Sequence, residues 1–196
     1  MTIPTAFIPN IYYLSLVTQH KVDGIYVGEI YQKQTFRNRV EVFTSNGREH
    51  FTIPVQKIGY PSPQTSEVSI SEHGNWRNKL LQLLKSSYQG TPYWVHYQEA
   101  IERLIYCKEP DLVAYNQQWL SMLCDLFGID SPPLVYTDND FHPEVIDPTY
   151  IDTLSKPKRY WQVFESRFGF QPWLSSIDLL LNLGPESKVY LKGIQL

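Results

Sequence analysis

Nine consecutive residues, Tyr31-Gln32-Lys33-Gln34-Thr35-Phe36-Arg37-Asn38-Arg39, hold three cations, three side-chain amides and two aromatic rings, and no acid. A guanidinium is a planar fork suited to a carboxylate or phosphate, and an amide both donates and accepts hydrogen bonds. Arg37 and Arg39 are therefore candidates to grip an anion, with Lys33 as a further cation. Gln32, Gln34 and Asn38 suit sugar hydroxyls. Tyr31 and Phe36 offer faces on which a ligand ring could stack. A solvated loop entering a hairpin is the competing explanation, and Glu41 partly neutralises Arg39. For a general base the candidates are His73 and Asp178. Asp178 closes Ser175-x-x-Asp178, a capping-box-like pattern, so its plainest role is to accept first-turn backbone donors. Asn182, one turn later, extends that polar face.

Common catalytic signatures are missing. The chain contains no GxGxxG, Walker A, HExxH or GxSxG. Its five histidines have no ligand-like spacing, the nearest neighbours being 23 residues apart. Cys107 and Cys124 fall in helical patterns without a CxxC, which argues against a disulfide framework and for buried small apolar residues. Seventeen basic and 20 acidic residues give a net charge of −3, which supplies no general reason for a nucleic-acid or membrane-surface partner. No run approaches the roughly 18 apolar residues of a membrane span, and the N-terminus MTIPTAFIPN lacks a signal-peptide pattern. The expectation is a soluble, cytoplasmic protein without a membrane span.

The elements that must position these groups are read from periodicity. Strands are expected at Thr5 to Ile8, Gly24 to Ile30, Val68 to Ser71, Leu134 to Thr137 and Tyr160 to Phe164, and a short helix from Tyr12. Val40 to Thr44 and Glu49 to Ile53 flank Ser45-Asn46-Gly47-Arg48, a strong hairpin signal. An Asn46-Gly47 turn sets Thr44 opposite Glu49, Val42 opposite Phe51 and Val40 opposite Ile53. Val40, Val42, Phe51 and Ile53 then share an apolar face. Arg39, Glu41, Phe43, His50 and Thr52 share the other, joined by Arg37 if the strand extends backward. Helices are expected over 76–88, capped by Asn75, over 92–106, capped by Thr91, and over 112–127, ended by Gly128. A last helix opens at Ser175-Ser176-Ile177-Asp178 and stops at Gly184-Pro185.

Four blocks in order, YQKQTFRNR, FTIPVQK, WRNKLLQLLKSSYQGTPYW and QVFESRFGFQPWLSSIDLLLNLGP, resemble the WbqC-like family of bacterial proteins. The resemblance covers most of residues 5–190. Ile8 stands where the family's opening motif has Gln, Leu183 where many members have Cys, and residues 130–159 lack a Gly-rich strand–turn segment. The chain looks like a shortened branch. The resemblance implies a role in surface-polysaccharide (O-antigen-type) metabolism, as a sugar-modifying group transferase acting on a nucleotide-linked or phosphorylated sugar. The alternative is a non-catalytic binding or assembly protein of the same pathway. A perturbed His or Asp in a pocket with Arg37 favours the enzyme. The reading names no cofactor. The expected fold is a single α/β domain over residues 1–196. It has a partly parallel, Rossmann-like sheet of five or six strands, a β-hairpin and a helical block in the C-terminal half.

Overall fold

Thr2 and Ile3, not residues 5–8, begin the sheet. In the computed structural model, which describes residues 1–137 and 140–196, β1 is Thr2–Pro4. The backbone of residues 5–9 goes elsewhere: Phe7 N donates to Phe36 O at 2.8 Å, so this stretch lies against the Tyr31–Arg39 segment. Helix α1 (Ile11–Thr18) follows, with Asn10 accepting from Tyr13 N at its start. It is buried on nearly every side, which fits its almost wholly apolar sequence. Strand β2 (Gly24–Tyr26) pairs in parallel with β1 on one side and with β5 (Leu134–Val135) on the other. The sheet order is β1-β2-β5.

The hairpin of β3 (Arg39–Thr44) and β4 (Gly47–Thr52) forms a separate two-stranded sheet. Its register differs from the expected one by two residues: Thr44 pairs with Gly47, Val42 with Glu49 and Val40 with Phe51. Ser45 and Asn46 make the connection, and Gly47, at φ 107°, enters the returning strand in a conformation that glycine adopts without strain. A shift of two preserves sidedness. Val40, Val42 and Ile53 are buried and Phe51 packs against the core, as the alternation requires. The opposite face is covered only in part: His50 and Thr52 are exposed, but Phe43 is buried against Phe164 and Phe168. Strand β3 begins at Arg39, so Arg37 is outside the ladder.

Two more expected strands are absent. Val68 and Ile70 are buried, but residues 68–71 make only isolated bridges, to Val55 and Asp111. Tyr160 to Phe164 is irregular, and its polar side chains turn inward instead. The helical block matches more closely: α2 is Trp76–Tyr88, α3 Trp94–Ile105 and α4 Leu112–Phe127. Their caps differ. Asn75 sits at φ 50° and accepts from the Asn78 amide rather than from backbone. Thr91 donates back to Tyr88 O, which closes α2 instead of opening α3. Short helices α5 (Pro148–Ile151) and α6 (Glu165–Phe168) precede α7 (Ser176–Leu183), and an unexpected α8 (Ser187–Lys192) follows it. Gly184 separates the last two at φ 55°, and a Cβ there would sit 2.4 Å from the Tyr93 ring.

One continuous cluster of buried apolar side chains runs from Ile3 to Ile194. At its centre Phe7 meets Tyr115 and Trp119, each at 6.0 Å between ring centroids, and Trp76 packs edge-on to Tyr115. The stripes of α2 and α4 therefore meet directly at Trp76 and Tyr115, and Phe7 of the N-terminal segment packs on the α4 rings.

Candidate functional site

Two buried polar centres lie in this core. The first is built on α7. Ser175 N donates to Glu41 O and Ser176 N to Pro9 O, which docks the helix start onto β3 and the N-terminal segment. With those donors occupied, Asp178 does not cap. Its carboxylate, 1% exposed, receives the Tyr160 hydroxyl at 2.5 Å and the amides of Gln162 and Asn182 at 3.3 Å each. The Tyr88 hydroxyl, which accepts from Phe43 N at 3.0 Å, also stabilises the carboxylate. Burial pushes the Asp178 carboxyl up to about 6, against the opposing pull of these donors. Burial and the same carboxylate hold the Tyr160 and Tyr88 hydroxyls well above their ordinary range.

Tyr160 connects this centre to a cleft of about 910 Å³. Its ring forms part of the cleft wall with Trp173 and Tyr190, and Lys156, Lys158 and Arg159 supply charge. Glu186 is the one acid in the lining. Arg159 is paired with Glu165, whereas Lys156 and Lys158 have no ion-pair partner among the described residues. The Tyr190 hydroxyl donates to Lys158 O and fixes the basic strip against α8.

The second centre surrounds Arg37, which is 1% exposed. Its Nε donates to Glu29 Oε1 at 2.9 Å and its Nη1 to Thr35 Oγ1 at 3.1 Å. Thr65 also donates to Glu29 Oε1. Asn116, from α4, donates to Arg37 O at 2.8 Å, and Asn38 donates to Ile53 O at 2.8 Å. Arg37 is thus an internally paired cation.

The structure separates the residues that the sequence singles out. Tyr31, Arg37 and Asn38 are buried together; Gln32, Lys33 and Gln34 lie on an exposed turn; Arg39 is half-buried at the start of β3. Glu41, the nearest acid in sequence and the expected neighbour of Arg39, forms its ion pair with Arg48 at 3.5 Å instead. His73 is exposed in the turn before α2 and belongs to neither centre. Burial also raises the Glu41 carboxyl, but the larger rise is at Asp178, which does not share a partner with Arg37. Sequence reading passed over Glu29, Thr65, Asn116, Tyr160, Gln162, Lys156 and Lys158. A signal for part of this set exists in Lys156-Pro157-Lys158-Arg159-Tyr160-Trp161, where a basic run meets two aromatic residues.

Among the described residues, no three His, Cys, Asp or Glu side chains are grouped to hold a metal ion, and no helix is long and apolar enough to cross a membrane. The sequence model of the WbqC-like protein family matches residues 5–138. The protein Rv1507c of Mycobacterium tuberculosis (strain ATCC 25618 / H37Rv) is 25% identical over 203 residues, covering 86% of each chain. No solved structure matches the chain.

Proposed function

Because the chain belongs to the WbqC-like protein family, we propose that it handles a nucleotide-linked or phosphorylated sugar in bacterial surface-polysaccharide biosynthesis and transfers a small group to it. A cytoplasmic location belongs to the same proposal. The observation that carries this reading is the basic, aromatic-walled cleft with the buried Asp178 behind Tyr160. Lys156 and Lys158 offer unpaired charge for phosphate. Trp173 and Tyr190 offer apolar surface for a base or sugar ring. Asp178, raised toward neutrality, suits acid–base work near physiological pH, with the Tyr160 hydroxyl between it and the cleft. The exposed Gln32, Lys33 and Gln34 and the half-buried Arg39 remain proposed ligand contacts at the other centre. His73 is a second candidate base at the surface.

A binding or assembly role is the second reading. It is favoured by the shielding of Asp178, which is 1% exposed and already engaged by Tyr160, Gln162 and Asn182.

Calorimetric titration with uridine-, guanosine- and thymidine-diphosphate hexoses and with glucose 1-phosphate tests the proposal. Binding of at least one compound is expected, weakened by added salt. A Lys156→Ala/Lys158→Ala variant should lose about tenfold or more in affinity. A wild-type chain that binds none of these compounds overturns the reading.

A further inference from the structure

Glu29 and Arg37 form an incomplete pair. Nε and Nη2 lie on one edge of a guanidinium, and a carboxylate commonly takes both at once. Here only Nε is engaged, and Glu29 Oε1 takes both that bond and the one from Thr65. Arg37 Nη2 and Glu29 Oε2 are left buried without a partner among the described residues. The Glu29 side chain is 9% exposed, so water does not freely compensate. Each bare atom shares its group with an atom in the 2.9 Å contact.

Their chemistry selects what can join them. Nη2 only donates, and an ionised Oε2 only accepts. A single hydroxyl satisfies both, its oxygen taking the Nη2 hydrogen and its own hydrogen going to Oε2. A phosphate or carboxylate suits the pair poorly, since either brings negative charge against Oε2, and a carboxylate also has no hydrogen to give. The pair is also neutral overall, which removes the general attraction for an anion. Tyr31 supplies a second hydroxyl-compatible group. Its hydroxyl is buried and unpartnered among the described residues. Burial pushes that hydroxyl up, and the Arg37 charge opposes the push. Asn116 and Asn38 hold the surrounding backbone through their amide nitrogens and leave their Oδ1 atoms unpartnered.

We infer that Glu29, Arg37 and Tyr31 form a hydroxyl-reading site for a sugar, covered by the turn of Gln32 to Thr35. Thr35 ties that turn to the site, accepting from Arg37 Nη1 and donating to Gln32 O. Gln34 closes the turn at φ 63°, a conformation non-glycine residues adopt sparingly. The turn residues 32–34 are exposed, and a ligand would reach the pair past them. The inference rests on the proposed function only in taking a sugar as the bearer of the hydroxyl.

The test follows the Arg37 Nε–H signal of the full-length ¹⁵N-labelled protein by NMR. The probes are D-glucose, D-galactose, N-acetyl-D-glucosamine and sodium phosphate. A saturable shift with at least one sugar and none with phosphate is expected. Glu29→Gln, which puts a donor where Oε2 accepts, should abolish the shift. Thr65→Ala, which removes only a donor to Oε1, should weaken it and serves if Glu29→Gln does not fold. If no sugar moves the signal while Arg37 exchanges magnetisation with water, the pair holds a structural water and the inference falls. A shift with phosphate alone also overturns it. Titrating the same samples with UDP separates the two proposals: Glu29→Gln should leave nucleotide binding at the cleft unchanged.

Discussion

At the scale of single residues, position in the fold decides what a charged group does. Arg37 and Asp178 are both charged side chains in a core, but the surroundings differ. Arg37 has a carboxylate partner, and each stabilises the other's charge. Asp178 has only neutral donors, which do not offset the loss of hydration, so its carboxyl rises from 3.8 to about 6. A raised carboxyl means the folded state binds the proton more tightly than the unfolded chain. The associated stability is fully present below about pH 3.8 and is lost as pH rises through about 6. The difference amounts to about 3 kcal/mol. Asp178→Asn carries no such penalty. Its stability relative to the wild type, measured by urea unfolding, should therefore rise by up to about 3 kcal/mol between pH 4 and pH 7. A difference that stays flat across that range would show that the carboxylate is solvated.

At the scale of elements, helices α2 and α4 are held by aromatic contacts that converge on Tyr115. Trp119 is fully buried between Phe7 and Tyr115. Trp119→Ala should cost roughly 3–5 kcal/mol in chemical denaturation, and a loss below about 1 kcal/mol would mean that the site collapses around the missing ring. Gly184 sets the angle between α7 and α8 and so the shape of the cleft, which both helices line. Gly184→Ala combines a positive φ with a Cβ too close to Tyr93. It should destabilise the protein by about 1 kcal/mol or more and weaken nucleotide binding, whereas Gly90→Ala, where an added Cβ meets nothing within 4 Å, leaves binding unchanged.

At the scale of the whole molecule, one apolar cluster links the small parallel sheet, the hairpin and the helical block. Both polar centres join distant parts of the chain. Asp178 connects α7 to Tyr88 of α2 and to the 160–162 segment, while Arg37 is tied to Asn116 of α4. We therefore propose that residues 1–196 form one domain. Circular dichroism and tryptophan fluorescence should report a single coincident unfolding transition. Two separated transitions would divide the chain into independent units and would detach the cleft, at the C-terminal end, from the Arg37 centre.

Local sequence determined what depends on near neighbours. The helical periods from Trp76 to Phe127 set the bounds of α2 and α4, because an amphipathic stripe bounded by Tyr88-Gln89-Gly90 or by Gly128 leaves little freedom. Alternation fixed which side of β3 and β4 faces the core, although not the pairing, since a shift of two residues keeps every side chain on its face. The family was legible too, from the order of its blocks. The partners of the polar side chains were not. Arg37 meets Glu29 only because residues 29 and 37 are brought together across an irregular segment, and Asp178 turns from its own helix start only because Glu41 and Pro9 already engage the neighbouring backbone. The cleft draws its lining from 155–160, 173 and 183–195, which no periodicity connects. Propensity and hydrophobic pattern act over a few residues, whereas desolvation and ion pairing are decided by whichever groups the tertiary fold brings within a few ångströms.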